Sequence, residues 1–336
     1  MKSEENTFEF NNWIYTCRIF GSDIDYGKTG QKLEFELELD TPDYNEIPKT
    51  LTKHYSVDKY SVKSLLNREL YASHPRQLND LYDCYHGFID FSGMRLEDYL
   101  TYFKALKSED EVRYLYEHDI KKLQFELSLY NATFTYCRIG TISMTEIDND
   151  MCMWAHYSDS HKGFAIKFNT NQIENKFYGP FPVHYVDNYK RIDILKYGFI
   201  LSFFYQSSLK STKWIYEKEW RLLGEKEEMI IPGLHEPPNA NDRCFQFDKS
   251  AIKEIILGFK FFEGIIAHRI NNSTRYRLLF NDKNNLKYIL LKEIYENYND
   301  CLLLVELDND NQFELIKLKI QIETINGLEI IVNYAT

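Results

Sequence analysis

Two stretches of this sequence bring together residue types that do chemistry. The first is Lys213-Trp214-Ile215-Tyr216-Glu217-Lys218-Glu219-Trp220-Arg221-Leu222-Leu223. Read as a strand, it turns Glu217, Glu219 and Arg221 to one face and Tyr216, Lys218, Trp220 and Leu222 to the other. Two carboxylates about 7 Å apart beside a guanidinium can act as a general base and an electrostatic stabiliser. The same pattern also describes a solvated strand face with a ladder ion pair. The second stretch, residues 153–164, holds Trp154, His156, Tyr157, Ser158, Asp159, Ser160 and His161, then Gly163. His156 and His161 stand about 140° apart on a helix, which disfavours a shared metal. The other readings are a packed Trp-Tyr turn, or an aromatic-lined pocket in which a His or Tyr hydrogen-bonds a ribose or a ring. Two lesser candidates are His54-Tyr55 and the hydroxyl row Thr141, Ser143 and Thr145.

The elements that must position these residues follow from periodicity. Residues 13–20 and 32–39 alternate with period two across a turn-rich stretch and predict a hairpin, with Leu33, Phe35 and Leu37 as its apolar face. Residues 1–48 are therefore expected as an N-terminal β extension, linked through 40–48 to a main domain at 49–336. In that domain strands are expected at 50–56, 69–73, 134–145, 163–168, 181–186, 214–223, 251–258 and 284–291. Helices are expected at 59–68, at 192–209, near 264–280 and, as a pair, within 96–131. Residues 224–243 are rich in Pro and Asn and read as a loop, and 302–332 as antiparallel β. Helices inserted between mixed or antiparallel strands, with no βαβ rhythm, indicate an α+β fold.

Composition narrows the function classes. Of 336 residues, 44% are hydrophobic and 27% charged, which excludes a mostly disordered chain. Forty Lys and Arg stand against 51 Asp and Glu, so the chain is not a non-specific coat for duplex phosphate, although a local basic groove stays open. Neither a GxGxxG nor a P-loop pattern occurs. The six Cys are scattered without CxxC spacing, so reduced thiols and no structural metal are expected. The polar N-terminus and the short apolar run at 197–205 lead to the expectation of a soluble, cytoplasmic protein that does not enter a membrane.

In order, these pieces resemble a bacterial family catalogued as domain of unknown function 2971. The resemblance rests on Tyr55-Ser56, residues 59–73, Pro75 and Leu78-Asn79-Asp80, then Ser143 with residues 153–157 and 159–163, then Lys213 and Tyr216 to Arg221. It spans about residues 51–320, with a central signature at 141–168. Ser56 and Leu81 stand where the family opening usually has Arg and Pro. The late Glu-x-Glu is in turn similar to the biglutamate motif of ADP-ribosyltransferases. That likeness implies an ADP-ribosyltransferase-like core and NAD as substrate. Glu219 would stabilise an oxocarbenium-like transition state at the nicotinamide ribose, and Glu217 would orient an acceptor. Tyr55, Ser143, Trp154, His156, Tyr157 and Arg221 would form the NAD site, with Tyr55, Ser143, Trp154, His156 and Glu219 lining one cleft. The implied activity is ADP-ribosyl transfer to a protein or nucleic acid, or NAD glycohydrolysis, in a toxin or antiphage effector with partner proteins. The alternatives are a metal-independent nuclease or hydrolase using His156 with Glu219, and a non-catalytic nucleotide- or protein-binding sensor.

Overall fold

The structure, a computed structural model, describes residues 3–10, 13–20, 34–40, 47–104, 106–173, 177–226, 229, 243–308 and 314–334. The chain opens on an antiparallel meander, β1 (Ser3–Phe10), β2 (Trp13–Phe20) and β3 (Glu34–Asp40). β4 (Thr50–Tyr55) leads through α1 (Lys59–Asn67) to β5 (Glu69–Tyr71). After the short β6 (Ile89–Asp90) come α2 (Leu96–Phe103), α3 (Glu109–His118) and α4 (Ile120–Tyr136). β7 (Ile139–Thr145), α5 (Met151–Tyr157) and β8 (Phe164–Asn169) carry the central motif. α6 (Thr170–Ile173), β9 (Tyr178–Pro182), β10 (His184–Val186), β11 (Ile192–Asp193) and α7 (Ile194–Ser208) then run on to β12 (Leu209–Ser211) and β13 (Glu219–Glu225). The last third adds β14 (Cys244–Gln246), β15 (Ile252–Leu257), β16 (Ile266–Arg269) and β17 (Arg275–Leu279). It ends with α8 (Leu286–Asn297), β18 (Leu302–Leu307), β19 (Leu315–Asn326) and β20 (Glu329–Tyr334).

Among the described residues one eleven-stranded sheet runs in the order β16-β17-β20-β19-β18-β15-β8-β4-β7-β13-β9. Its neighbours are antiparallel except β15 and β18, so the fold is α+β around a large mixed sheet. One face packs Leu51, Ile142, Phe164, Ile166 and Leu222 against Leu65 of α1, Phe204 of α7 and Leu290 of α8. A second apolar cluster joins α2, α3 and α4 through Tyr99, Phe103, Val112, Leu115 and Leu123. The N-terminal meander seats Phe8 edge-on against Tyr197 and Tyr205 of α7, with centroids 5.1 and 5.4 Å away.

Several expected elements are replaced. Most of the strand expected at 284–291 is helix α8 instead, because Asn285 caps it by accepting from the amides of Lys287 and Tyr288, and Tyr288, Leu291 and Ile294 recur on its buried face. The helix expected near 264–280 is the hairpin β16–β17, turned by Asn271 and Asn272 at φ 46° and 55°, values a helix cannot contain. The stretch 96–131 carries three helices instead of two, and α4 continues through Tyr136 into residues expected as strand. The long helix at 192–209 starts at Ile194 and breaks at Gly198, whose φ of 72° interrupts it. Leu33 lies outside the described residues, as do the side chains of Phe35 and Leu37 and most of the loop 224–243.

Candidate functional site

The most consequential local difference falls on the Glu-x-Glu. Residues Thr212–Glu217 form a 3₁₀ turn, Lys218 takes a left-handed φ of 41°, and the strand begins only at Glu219. The strand expected over 214–223 is therefore half turn, because Ser211 caps it from the amide of Lys213. Glu219 and Arg221 share a strand face opposite Thr145 and Ser143 of β7. Glu217 reaches the same place from the turn.

These side chains form a closed ionic network. Arg221 is fully buried and grips Asp83 with two bonds, Nη1 to Oδ1 at 2.6 Å and Nη2 to Oδ2 at 2.7 Å. Its Nε and Nη2 donate to the two oxygens of Glu219 at 2.8 and 3.2 Å. Lys210 follows α7 on β12 and donates from Nζ to Glu217 at 2.5 Å and to Glu219 at 2.9 Å. The other oxygen of Glu217 accepts from the Tyr157 hydroxyl, whose oxygen in turn accepts from Asn79 at 2.7 Å. The amide of Glu219 donates to the Tyr185 hydroxyl at 2.9 Å. Burial of this kind is tolerable because each charge meets an opposite one with bonds to its remaining atoms.

Beside the network the sheet splits. Among the described residues β4 pairs with β7 only at Thr52↔Thr145, and at the other end of β7 Ser73 bridges Thr141. Between these ties a cavity of about 210 Å³ opens, lined by Thr52, Lys53, His54, Ser143, Thr145, Asn79, Asp83, Tyr157, Lys210, Glu217 and Glu219 among others. Lys53 Nζ donates to the carbonyl of Ser143 at 3.1 Å, across the gap where the strands part. Both ring nitrogens of His54 and the hydroxyl of Thr52 are buried without a protein partner. A polar ligand could satisfy them.

The local field separates the two glutamates. Burial alone would raise Glu219, but Arg221 and then Lys210 outweigh it and hold the carboxyl well below the ordinary range. Glu217 is raised, chiefly by burial, with Lys210 opposing and the charge of Glu219 adding. Burial tends to lower Lys210, yet the charge of Glu219 keeps it above its usual value. Burial brings Lys53 down to about 8, against the pull of Glu219, and His54 down to about 4, so His54 is neutral near pH 7. An ionised carboxylate, a second one more easily protonated, and a neutral imidazole thus face one small polar space.

The proposed site residues divide accordingly. Glu217, Glu219, Ser143 and Tyr157 line the cavity. Arg221 sits behind it and holds Glu219 in place. Tyr55 is stacked on Phe164, with centroids 5.1 Å apart, while its neighbours Lys53 and His54 reach the cavity. Trp154 is fully buried with Ala165, Ile256 and Val305 and donates to the carbonyl of Asp148 at 2.8 Å. It meets the site through His54, whose ring lies edge-on to it at 4.9 Å. His156 is exposed, 6.2 Å from the ring of Tyr216, and does not meet Glu219 as a hydrolase reading needs. Asp83, Lys210, Lys53 and Tyr185 were not singled out from the sequence. Lys210 had one signal, as the lone charge closing the apolar and hydroxyl run that ends α7. Among the described residues no group of three or more His, Cys, Asp or Glu is placed to hold a metal, and no helix is long and apolar enough to cross a membrane.

Fold and site together define an α+β protein with a charged cleft where a mixed sheet splits. Residues 153–222, from the buried face of α5 to Leu222 of β13, match the family described as Protein of unknown function (DUF2971), to which this segment is similar. The match is shorter than the span 51–320 expected from the motifs and leaves Asp83 and β4 outside. No curated protein and no solved structure gives a match.

Proposed function

We propose that the cleft cleaves the N-glycosidic bond of NAD, releasing nicotinamide and passing the ADP-ribosyl group to water or to an acceptor. The observation that carries this reading is Glu219, an ionised carboxylate facing a small cavity whose other walls offer partnerless polar groups. Nicotinamide leaves as a neutral ring from a cationic pyridinium, so the reaction needs no acid for its leaving group. It needs negative charge near the anomeric carbon as the oxocarbenium-like cation develops, which is the service Glu219 can perform. A site of about 210 Å³ is below the range of about 300–1,000 Å³ common for ligand pockets. It suits the nicotinamide-ribose end, with the adenosine end lying outside the enclosed part.

The placement of motifs supports the reading as well. The early, middle and late motif strands lie side by side, β4 next to β7 and β7 next to β13. Glu217, with its raised pKa and its bonds to Tyr157 and Lys210, is suited to orient the attacking acceptor. Consumption of cellular NAD would serve a toxin or antiphage effector. The test is incubation of the purified protein with NAD, followed by mass spectrometry of the small molecules. Nicotinamide and ADP-ribose in equal amounts mark hydrolysis, and nicotinamide in excess of ADP-ribose marks transfer. Intact NAD after prolonged incubation, with the protein folded, would refute the reading.

A further inference from the structure

We propose that Lys53 is an amine nucleophile of this cleft, attacking the anomeric C1 of the ribosyl group and carrying the sugar briefly as an imine. The inference rests on the glycosidic reading above. It starts from a contrast between two lysines. The ammonium of Lys210 is held by Glu217 and Glu219 at 2.5 and 2.9 Å, and its charge is neutralised where it stands. Lys53 makes no carboxylate ion pair among the described residues; its Nζ bonds the carbonyl of Ser143 at 3.1 Å. A carbonyl orients an amine through one hydrogen and leaves its lone pair free once a proton is lost.

The position of Lys53 comes from the split sheet. It follows Thr52, the residue of β4 that still pairs with β7, and its side chain lines the cavity together with Ser143 and Glu219. Burial lowers Lys53 to about 8, so part of it is neutral near physiological pH; Glu219 is the charge that opposes this. A desolvated lysine beside a carboxylate is the arrangement from which amines attack electrophilic carbon.

The step balances without an added reagent. The Nζ lone pair forms a bond to C1 while the C1–N bond to nicotinamide breaks, and that pair returns to the ring nitrogen, which becomes neutral. Nζ sheds one proton, giving a glycosylamine. Its lone pair then opens the sugar ring: C1–O4 breaks, O4 takes up a proton, and C1=Nζ forms as a protonated imine. Water adds to C1 and returns the free amine and the sugar aldehyde.

The experiment is reductive trapping on the full-length protein. Incubation with NAD and cyanoborohydride converts the imine to a stable secondary amine, and peptide mass spectrometry locates it. One ADP-ribosyl unit on Lys53, lost in Lys53→Arg, is the expected result. A parallel arm replaces NAD by ADP-ribose, whose C1 aldehyde requires no glycosidic cleavage, with exposed Lys59 as internal reference. Nicotinamide release without an adduct on Lys53 overturns the inference and leaves the proposed function standing. No nicotinamide release, with Lys53 still labelled by ADP-ribose ahead of Lys59, sinks the function and upholds the reactive amine. Neither release nor preferential labelling refutes both.

Discussion

Arg221 bonds Asp83 and Glu219 at once, with no exposed surface of its own, and this makes it the residue on which the site's electrostatics turn. Arg221→Met removes the guanidinium and leaves the buried carboxylates of Asp83, Glu217 and Glu219 with Lys210 as their one paired cation among the described residues. A loss of about 3–5 kcal/mol is expected, the usual cost of breaking a buried pair from one side, read from urea denaturation of the two proteins. Equal urea midpoints would show that the network does not hold the fold. The two glutamates should respond differently to neutralisation. Glu217→Gln keeps a side chain that can still accept from Tyr157, so nicotinamide release should persist while transfer to an acceptor falls. Measuring hydrolysis and transfer together separates these effects, and equal loss of both would count against distinct roles.

Elements place these residues through contacts that leave little room. Asp159, Ser160 and His161 hold three consecutive left-handed conformations after α5, with φ of 46°, 54° and 70°. Gly163 closes this loop, and a Cβ there would lie 2.0 Å from the carbonyl of Tyr55 on β4. Gly163→Ala must therefore part the end of β4, next to Lys53 and His54, from the loop that leads into β8. A destabilisation of about 1–3 kcal/mol is expected from such overpacking, with NAD turnover falling as well. Unchanged thermal stability would show that β4 can yield freely. For comparison, Asn285→Ala should cost about 1 kcal/mol through its lost helix cap and leave turnover intact, since α8 does not line the cavity.

Much at this scale was legible beforehand. Alternation marked β2 and β19, apolar runs marked β8 and β15, and the motif stretches around Ser143, Tyr157 and Glu219 do meet at one cavity. The hairpin β16–β17 was missed because its two turn asparagines sit in a run that also suits a helix. The turn before Glu219 was missed because a left-handed Lys218 leaves no mark in a charged alternating sequence. Asp83 carries no mark in the sequence: 138 positions from Arg221, it becomes a site residue only when tertiary packing buries it beside that guanidinium, whereas Lys210 shows only as the charge that closes an apolar run.

At the scale of the whole molecule, three buried histidines set a dependence on pH. Desolvation lowers His54 to about 4, His74 to about 4 and His184 to about 3, from the ordinary histidine value of 6.5. The folded chain keeps them neutral while the unfolded chain protonates them, so between pH 6.5 and 4 the unfolded state binds more protons. Stability should fall as pH drops through that window, and His54→Gln, neutral at every pH, should flatten part of the slope. Urea midpoints at a series of pH values test this; a level profile for the parent protein would contradict it. The proposed breaking of a glycosidic bond belongs to the whole fold, whose sheet splits beside a closed ion network. The most direct check is the rate of nicotinamide release from NAD by the purified protein and by Glu219→Gln, with folding of both verified. Release by the parent protein that drops by about 10²–10³-fold in the variant is the predicted result, the usual effect of losing one transition-state electrostatic contact. Equal rates in the two proteins, or no release from either, would contradict it.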